Sequence, residues 1–563
     1  MGGLLARLEY TTVKDPPTKN DAKASTLAVS VPPELCLTEP GNIALPVSYL
    51  LCGFLPALIA NPTTVFMVDM LDATSAQQNT VAVAYSLPWC FKVGFGFLTD
   101  AFPLSRTSRR KPYFVLGFAI HMVANACLAR FTRPSVAQLA TCSFFATFGR
   151  IMSDVMADAM MVERTKLEPR EMRGTFQSKC YLARFYGALL GAVLGGCLYS
   201  KQVMPALGLG GSEGGRVPYS TIVWITVYAP LALLLPTVPL LVDDVLGSTG
   251  RGRQQGHASE GMSAARRQCN VMWEIAQRRA VWQPMAFVFL FNVLQWRNAA
   301  WSSFLRVGLN FRAYELGALH IVAHLMTLVG AMAYRRYFMK TSLRTLYFWS
   351  TLFVAVLGTG QLFLILGWNR RLGIPDFIFA FGDDALTQCV SSLLYIPVCI
   401  MFSSLCPDGS EGFVYALLTS FSNAGETVAR AFSNGASHIW DVTNDAIRQH
   451  DYSGVFNLEI LTLLLQVAPI LFVYVLMPSH QQQRQLERSG EKSPLAGRVF
   501  IGTFAVSIVF AVVNGVIELA DNTNGSGTIG GVAKYAAGEP VSHGGPLAPP
   551  PAPHSGLSSS LAT

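Results

Sequence analysis

The sequence is poor in charge. Charged residues make up only 13% of its 563 residues, whereas an ordinary soluble domain carries roughly 25%. Apolar runs of about 20 residues recur along most of the chain, and each is long enough to cross a bilayer. An open β-sheet is excluded because its edges would leave backbone groups unsatisfied in lipid. The composition therefore predicts an all-α, polytopic membrane protein.

Several motifs that would indicate a disulfide framework, a metal site or a nucleotide-binding loop are also absent. The eleven cysteines form no C-x-x-C pair or Cys/His cluster, so neither a disulfide framework nor a metal site is expected. No Gly-Lys dipeptide exists, which excludes a Walker A loop. The first 40-odd residues lack an apolar core, so no cleaved signal peptide is expected. The net charge of +8 is modest, and the basic residues are concentrated in short loops between apolar runs. We therefore expect no nucleic-acid partner.

What is present is a series of apolar segments. Before Pro478 we predict twelve spans, at residues 44–68, 77–99, 112–131, 135–161, 174–200, 219–242, 283–308, 315–336, 343–367, 376–404, 411–438 and 453–477. The sequence thus divides into a polar tail (1–43), a first six-helix half (44–242), a linker rich in Gly, Arg and Gln (243–282), a second six-helix half (283–478) and a C-terminal region (479–563).

Basic residues are concentrated in alternate loops. They cluster after spans two, four and eight and in the central linker, for example at Arg109, Arg110 and Lys166, and are fewer in the intervening loops. The positive-inside rule then predicts that the N-terminus and these loops are cytoplasmic. Acidic residues in the N-terminal tail argue against a transit peptide, so we favour the plasma membrane over an organelle envelope.

A thirteenth apolar run covers residues 499–519. It is long enough to span, although it carries Asn514 and Glu518. If it spans, the C-terminus lies outside and Asn524-Gly-Ser becomes a glycosylation site. If it lies on the surface, the tail stays inside. We favour spanning, and expect the Pro- and Ser-rich end to be disordered.

Two halves of six spans joined by a basic linker suggest the major facilitator architecture. In that fold the halves are related by an axis along the membrane normal, and the substrate site lies between them near the midplane. A faint repeat agrees with this. Span two ends in Gly96-Phe-Leu-Thr-Asp100 before Arg109-Arg110-Lys111, and span eight ends in Tyr334-Arg-Arg336 before Lys340.

Motifs in both halves carry a more specific resemblance. The chain from about residue 44 to 478 resembles the folate–biopterin transporter family. The motifs that carry the resemblance are Pro88-Trp89-Cys-Phe-Lys92, Gly96-Phe-Leu-Thr-Asp100-Ala-Phe-Pro103, Asp154-Val-Met-Ala-Asp158-Ala-Met-Met-Val-Glu163, Gly382-Asp383, Cys406-Pro407-Asp-Gly-Ser-Glu411-Gly and Ser420-Phe-Ser-Asn423-Ala-Gly425.

The resemblance implies a secondary active transporter of folate or of pteridines such as biopterin. It implies a proton-coupled symporter that works by alternating access, with the site between the halves. The expected partners are a small-molecule solute, a coupling proton and the lipid bilayer. We expect no cofactor, no enzymatic activity and function as a monomer. Some family members carry other solutes, including S-adenosylmethionine, so another small metabolite is the alternative.

Charges deep within the spans are candidates for the substrate site. A charge at such depth costs at least ~2.5 kcal/mol and must find a partner inside the bundle. Arg184, for example, lies ~15 Å into span five, near the middle of a ~30 Å hydrocarbon core. Carboxylates and arginines can pair with the polar edge of a pterin and with the carboxylates of folate, and aromatic rings can stack on its face. The predicted substrate-binding residues are Lys92, Arg184, Arg297, Asp383, Asp384, Asn423, Glu426, Arg430, Trp89 and Trp296.

A second group lies toward the predicted cytoplasmic ends of the spans. Asp100 and the basic cluster after it match the position of the facilitator gating motif, while Asp154 and Asp158 lie one turn apart on one face of span four. Gating or proton-relay roles are predicted for Asp100, Arg109, Arg110, Asp154, Asp158 and Glu163. For each predicted charge, a structural salt bridge between helices remains the alternative.

A protein of another class is also conceivable from the carboxylates. Asp154 and Asp383 lie in different spans, and two carboxylates sharing a proton activate water in aspartyl proteases. The Gly-x-Gly-Asp and Tyr-Asp motifs of intramembrane aspartyl proteases are missing, however, and we disfavour this interpretation. A non-transporting receptor built on a transporter scaffold is a further alternative, against which the charges at midplane depth argue mildly.

Overall fold

A computed structural model describes residues 36–523, apart from 72, 74, 103, 106–107, 170–173, 202, 207–215, 244–257, 299, 312, 408–409 and 438. Within that part, regular structure is helical. The predicted glycosylation site at Asn524 and the predicted disordered end of the chain lie outside the described residues.

The first half is built from eight helices. They are α1 (Ala44–Asp69), α2 (Ser75–Ser86), α3 (Lys92–Ala101), α4 (Lys111–Ala129), α5 (Val136–Leu167), α6 (Thr175–Leu198), α7 (Val203–Ala206) and α8 (Tyr219–Leu233). A 3₁₀ turn at Leu87–Phe91 joins α2 to α3, so these two helices form one crossing.

The linker, the second half and the C-terminal region contain thirteen helices among the described residues. They are α9 (Ala258–Gln277), α10 (Arg279–Leu294), α11 (Trp301–Ser303), α12 (Ala313–Ala333), α13 (Leu343–Ile365), α14 (Trp368–Arg371), α15 (Asp376–Leu405), α16 (Glu411–Ala436), α17 (Asn444–Arg448), α18 (Ser453–Val467), α19 (Ile470–Leu476), α20 (His480–Ser489) and α21 (Pro494–Thr523). Short π-helical segments extend α11 and α12, at Phe304–Gly308 and Tyr334–Phe338.

The helices account for the predicted spans. Nine stretches of the described chain are long and apolar enough to cross a membrane, and α8 and α10 are shorter apolar helices. With α5 and α16, whose apolar runs carry charges, these helices account for the predicted twelve-span bundle, which is thereby confirmed. Helix α21, which contains the predicted run 499–519, is also long and apolar enough to cross, and its crossing stays a prediction. The composition did not indicate α9 or α20, which lie in the two polar linkers.

Carboxylates that lie outside the helices complete the N-terminal ends of α4 and α6. The Asp243 carboxylate accepts hydrogen bonds from the backbone N–H groups of Arg110 (2.8 Å) and Lys111 (3.0 Å) at the start of α4. Glu168 accepts from the backbone of Gly174 (2.7 Å) and Phe176 (2.6 Å) at the start of α6. A carboxylate at these N-termini satisfies orphan donors and complements the helix dipole. Burial raises the pKa of the Glu168 carboxyl, although these backbone hydrogen bonds act in the opposite direction.

Helices approach most closely where glycine lines the contact. A Cβ atom added at Gly53 on α1 would lie 1.9 Å from the carbonyl oxygen of Arg184 on α6. Helices in lipid gain little from hydrophobic burial against each other, so small residues that allow close packing dominate such contacts. The backbone around Arg184 is therefore held directly against α1.

Helix α12 packs along α6 of the first half as far as Gly196, where an added Cβ would lie 3.6 Å from Ile321. The halves also meet, through α16, on one face of the membrane domain. We call this the linker face, and define it by the start of α4, the end of α5, the start of α16 and helix α9. There α3 meets α16 so closely that a Cβ at Gly96 would lie 2.8 Å from the carbonyl oxygen of Gly412. The linker face corresponds to the face that the basic loops predict to be cytoplasmic.

Toward the opposite face, α16 separates from the first half. One stripe of α16 runs at helical spacing through Gly412, Ala416, Thr419, Asn423, Glu426 and Arg430. Its first residues contact α3, whereas the side chains of Glu426 and Arg430 are 54% and 68% exposed. A cleft between the halves is therefore closed at the linker face and open on the opposite side.

Helix α21 lies outside the twelve-helix bundle and contacts both halves, through α2 and α16. The Phe500 ring stacks on Phe421 of α16 with a centroid distance of 4.4 Å. At its start, the Ser493 N–H donates to the Gln277 carbonyl of α9 (2.8 Å). The C-terminal helix is thus joined to the linker as well as to the seam between the halves.

Candidate functional site

Five residues from four helices meet at the closed end of the cleft, and we call them the central charge cluster. Lys92 is the first residue of α3, and its Nζ lies 2.8 Å from Asp158 Oδ2 and 3.2 Å from Asp154 Oδ2. Arg184 Nη1 lies 3.1 Å from Asp154 Oδ1. The Tyr49 hydroxyl donates to Asp158 Oδ1 at 2.5 Å. The structure therefore joins residues predicted for substrate binding with residues predicted for a relay.

The cluster is electrically balanced. Two cations face two carboxylates, and Lys92, Asp154 and Asp158 are all buried. Balance is required because an unpaired charge at this depth would be costly. Arg150, one turn before Asp154, forms no ion pair with the cluster among the described residues. Its guanidinium donates to the Tyr85 hydroxyl at 3.3 Å, although it interacts electrostatically with Asp154.

Arg184 gives the cluster an accessible cation. Its side chain is 15% exposed, more than any other charged member, and it interacts electrostatically with Tyr395 of α15. Tyr395 is 43% exposed, and its ring packs edge-on against Tyr181 (5.3 Å) and Phe185 (5.6 Å). A cation and an aromatic ring from different halves thus lie together at the closed end of the cleft.

A second group of charges closes the linker face, and we call it the linker-face network. It consists of three cations and three carboxylates from both halves: Asp100, Arg109, Arg110, Glu163, Lys166 and Glu411.

Buried Arg110 is the centre of this network. It forms a close ion pair with Glu163, and its Nη2 lies 3.6 Å from Glu411 Oε2 and 4.0 Å from Asp100 Oδ1. Lys166 Nζ pairs with Glu411 Oε1 at 2.9 Å, and Asp100 Oδ2 accepts from the Phe413 N–H at 3.0 Å. Since Glu411 and Phe413 belong to α16, the network ties the first half to the second.

Between the linker-face network and the central charge cluster, hydrogen bonds between uncharged side chains link the two halves. The Tyr181 and Tyr415 hydroxyls are 2.8 Å apart, and the Ser403 hydroxyl donates to Gln177 Oε1 at 2.8 Å. All four residues are buried. These contacts separate the linker-face network from the central charge cluster, so opening the linker face requires both layers to part.

Three of the predicted substrate-binding residues are on the stripe of α16. Glu426 and Arg430 lie 3.8 Å apart, and Asn423 is half-buried on the same face. Arg297 is exposed in the unwound segment between α10 and α11, where its carbonyl accepts a hydrogen bond from Ser433. Glu426 also interacts electrostatically with Arg297. This group lies on the open part of the cleft wall, apart from the central charge cluster.

The remaining candidates lie elsewhere. Asp383 points into the second half, since a Cβ at Gly360 of α13 would lie 2.9 Å from its Oδ1. The side chain of Asp384 lies outside the described part of the structure. Lys92 Nζ lies 5.6 Å from the Trp89 ring centre, close enough for a cation–π contact. Trp296 stacks on Phe432 at 6.0 Å, so a neighbour covers one of its faces.

Several residues of these groups had no role in the sequence prediction. Tyr49, Tyr181 and Tyr415 look like ordinary members of apolar runs, and Lys166 like one more basic residue of a loop. Glu411 was visible as a carboxylate at the first turn of a span. Its role as a contact between the halves required the packing of α16 on α3.

Comparison with solved structures places the fold in a known class. A crystal structure of a D-xylose–proton symporter superposes with a TM-score of 0.53, covering 78% of this chain and 98% of that one at 14% identity. A double tryptophan mutant of XylE gives a TM-score of 0.56 over 80% and 98%, also at 14% identity. Two six-helix halves around a charged cleft thus define a membrane protein of the major facilitator fold.

Sequence comparison gives the family. The model of the BT1 family matches residues 53–495, and the chain belongs to that family, as the motifs of both halves predicted. It is a transport protein rather than an enzyme. The "Probable folate-biopterin transporter 6" of Arabidopsis thaliana is 23% identical over 70% of this chain and 74% of its own. The "Folate-biopterin transporter" of Synechocystis is 24% identical over 72% and 76%.

Proposed function

We propose that the chain is a secondary active transporter of folate or of pteridines such as biopterin. The observation that carries the proposal is Arg184, an accessible cation that interacts electrostatically with Tyr395 of the other half beside the central charge cluster. The printed names of the family relatives agree with it, as does "Folate transporter 1" of Plasmodium falciparum, 21% identical over 72% of this chain and 73% of its own. We further propose a cytoplasmic linker face, a plasma-membrane location and function as a monomer.

The proposed solute suits the residues of the cleft. A flat pterin ring can stack on Tyr395 or Trp89, and its amino-pyrimidinone edge offers two parallel N–H donors to a carboxylate such as Glu426. The two carboxylates of a folate tail suit arginine forks, which Arg184 and Arg430 supply. A neutral pterin needs only the first two contacts, so one cleft can take both solutes.

Proton coupling follows from the charge balance of the central charge cluster. An anion that binds Arg184 competes with Asp154 for the same guanidinium. A proton on Asp154 or Asp158 removes that competition and leaves a cation available. We propose that solute and proton bind together for this reason, because either alone would leave a buried charge without its counterion.

The linker-face network is the proposed gate on that side. Alternating access moves one half against the other around a fixed site. When the linker face opens, the contacts of Arg110 and Lys166 with Glu411 must break. Because opposite charges from the two halves are held together there, the network stabilises the form in which the cleft opens on the opposite side.

Uptake assays test the proposal directly. In cells unable to take up folate or biopterin, expression should give uptake of one of them that rises as external pH falls. S-adenosylmethionine is measured beside them. Arg184→Ala should lower folate uptake at least about tenfold, since a charge-assisted hydrogen bond contributes ~1.5–3 kcal/mol. Arg130→Ala, at an exposed helix end, is the matched control. Uptake of S-adenosylmethionine alone would replace the pterin assignment, and uptake of none would refute it.

A further inference from the structure

Glu459 is a buried carboxyl group in the second half that none of the roles above uses. It lies on α18, about 9 Å into that helix at 1.5 Å per residue, and only 3% of the residue is exposed. Its Oε2 accepts a hydrogen bond of 3.0 Å from Asn298 Nδ2. Within the described residues it takes part in no ion pair, unlike Asp154 and Asp158.

The surroundings of Glu459 supply no positive charge. Among the helices around it, α10 and α13 carry one basic residue each, Arg279 and Arg344. Both lie at the linker-face ends of their helices, where Arg279 pairs with Glu491 and Arg344 donates to the Met477 carbonyl. The charged group that acts on Glu459 is another carboxylate, Asp383 of α15. Among the described residues, no cation offsets the cost of burying an ionised carboxylate here.

The partner of Glu459 belongs to the break in the seventh crossing. Helix α10 ends at Leu294, and residues 295–298 are not helical before α11 begins. The Asn298 amide fixes this segment, because Nδ2 also donates to the Val455 carbonyl (3.1 Å) and Oδ1 accepts from the Ala300 N–H (3.0 Å). The adjacent Arg297 is exposed. The buried carboxyl therefore holds the same segment that presents a cation to the cleft.

We propose that Glu459 is a proton-binding site of the second half, and that its proton sets the position of the unwound segment 295–298. With the proton bound, the carboxylic acid is neutral and remains buried against Asn298. When the proton leaves for solvent, the carboxylate favours arrangements that hydrate it or bring Arg297 closer. This inference deepens the proposed proton coupling and adds a second site to the one at Asp154 and Asp158.

The test follows the conformation of purified full-length protein in lipid nanodiscs without solute. Spin labels at Lys201 and Leu372, exposed on opposite halves at the open side, report the width of the cleft. Between pH 5 and 8 the distance distribution should shift, and Glu459→Gln should keep the low-pH distribution throughout. Glu487→Gln, at an exposed carboxyl on α20, should titrate like the unsubstituted protein.

A second measurement tests the proposal if the Glu459→Gln variant folds poorly. Infrared difference spectra between low and high pH should contain a carboxylic-acid C=O band, which Glu459→Asp moves in frequency. Asn298→Ala should raise the midpoint of the distance shift by about one pH unit, because the lost donor stabilises the charged form.

Two results overturn the inference: a Glu459→Gln protein that titrates like the unsubstituted one, or an unsubstituted protein with no shift over this range. Since no folate or pterin is present, failure here leaves the solute assignment intact. Failure of the uptake assay likewise leaves this titration meaningful.

Discussion

Lys166 on α5 and Glu411 at the first turn of α16 form a 2.9 Å ion pair between the two halves. Both residues belong to the linker-face network, where Glu411 also lies near buried Arg110. The pair exists only while the halves meet at the linker face. The interaction energy of this ion pair is therefore a measure of how strongly the two halves contact each other at the linker face.

A double-mutant cycle should detect the contact. Glu411→Gln should lower thermal stability by about 2 kcal/mol, less than the ~3–5 kcal/mol for breaking an isolated buried pair, because Glu163 still neutralises Arg110. Combined with Lys166→Met, the shifts in melting temperature should be non-additive. The exposed pair of Arg279 and Glu491 is the control and should give nearly additive shifts. Additive shifts for Lys166 and Glu411 would contradict the contact.

A bulkier residue at Gly96 should force the linker face open. Gly96→Val places its side chain against Gly412, whereas a Cβ at Gly94 meets nothing within 4 Å, so Gly94→Val is the matched control. Cys406 is buried at the end of α15 and interacts electrostatically with Lys166 and Glu411. In proteins that keep Cys406 as their sole cysteine, a polar thiol reagent should label Gly96→Val several-fold faster than Gly94→Val. Equal rates would argue against the close approach.

Removal of Lys92 should destabilise the first half, and a second substitution, at Asp158, should restore part of the lost stability. Lys92→Met leaves Asp154 and Asp158 buried with Arg184 as the remaining cation, at a cost of about 3 kcal/mol. Lys92→Met with Asp158→Asn restores the charge balance and should recover more than half of the lost stability. Yield and melting temperature in detergent measure this, with Asp158→Asn alone as reference. A double variant less stable than Lys92→Met would refute the pairing.

The contact of α21 with the bundle can be tested at two residues of that helix. Phe500 is buried against Phe421, and Val506 is largely exposed. Phe500→Ala should lower the melting temperature by several degrees, since an aromatic pair contributes ~0.5–1.5 kcal/mol beyond its buried area. Val506→Ala should change it little. Equal effects of the two substitutions would indicate that α21 does not pack on α16.

The crossings were predictable because bilayer thickness dictates the length of each apolar run. Breaks within crossings were not, because the unwound segment 295–298 contains neither Pro nor Gly and is held by hydrogen bonds with Val455 and Gln466 of α18. Helix α9 was missed because residues 243–282 were interpreted as a single linker rich in Gly, Arg and Gln. Its average composition did not reveal the helical stretch within it.

The sequence predicts which charged residues lie deep within the spans, but not which of them contact each other. The sequence placed Asp154 and Arg184 in consecutive spans, and the structure pairs them. It could not bring Lys92 to Asp154 and Asp158, because the rotation of α3 about its axis depends on packing. Glu459 escaped notice because a single carboxylate hardly changes the hydropathy of a long apolar run.

We expect α21 to cross the membrane, because it is long and apolar enough to do so, and this crossing would make their number odd. Asn42, just before α1, accepts a hydrogen bond from Arg164 at the end of α5, so the described chain begins at the linker face. Since α21 also starts there, beside Gln277, it would end in the other compartment. A fluorescent or affinity tag at one terminus would therefore meet a different pH, redox state and set of proteases from a tag at the other.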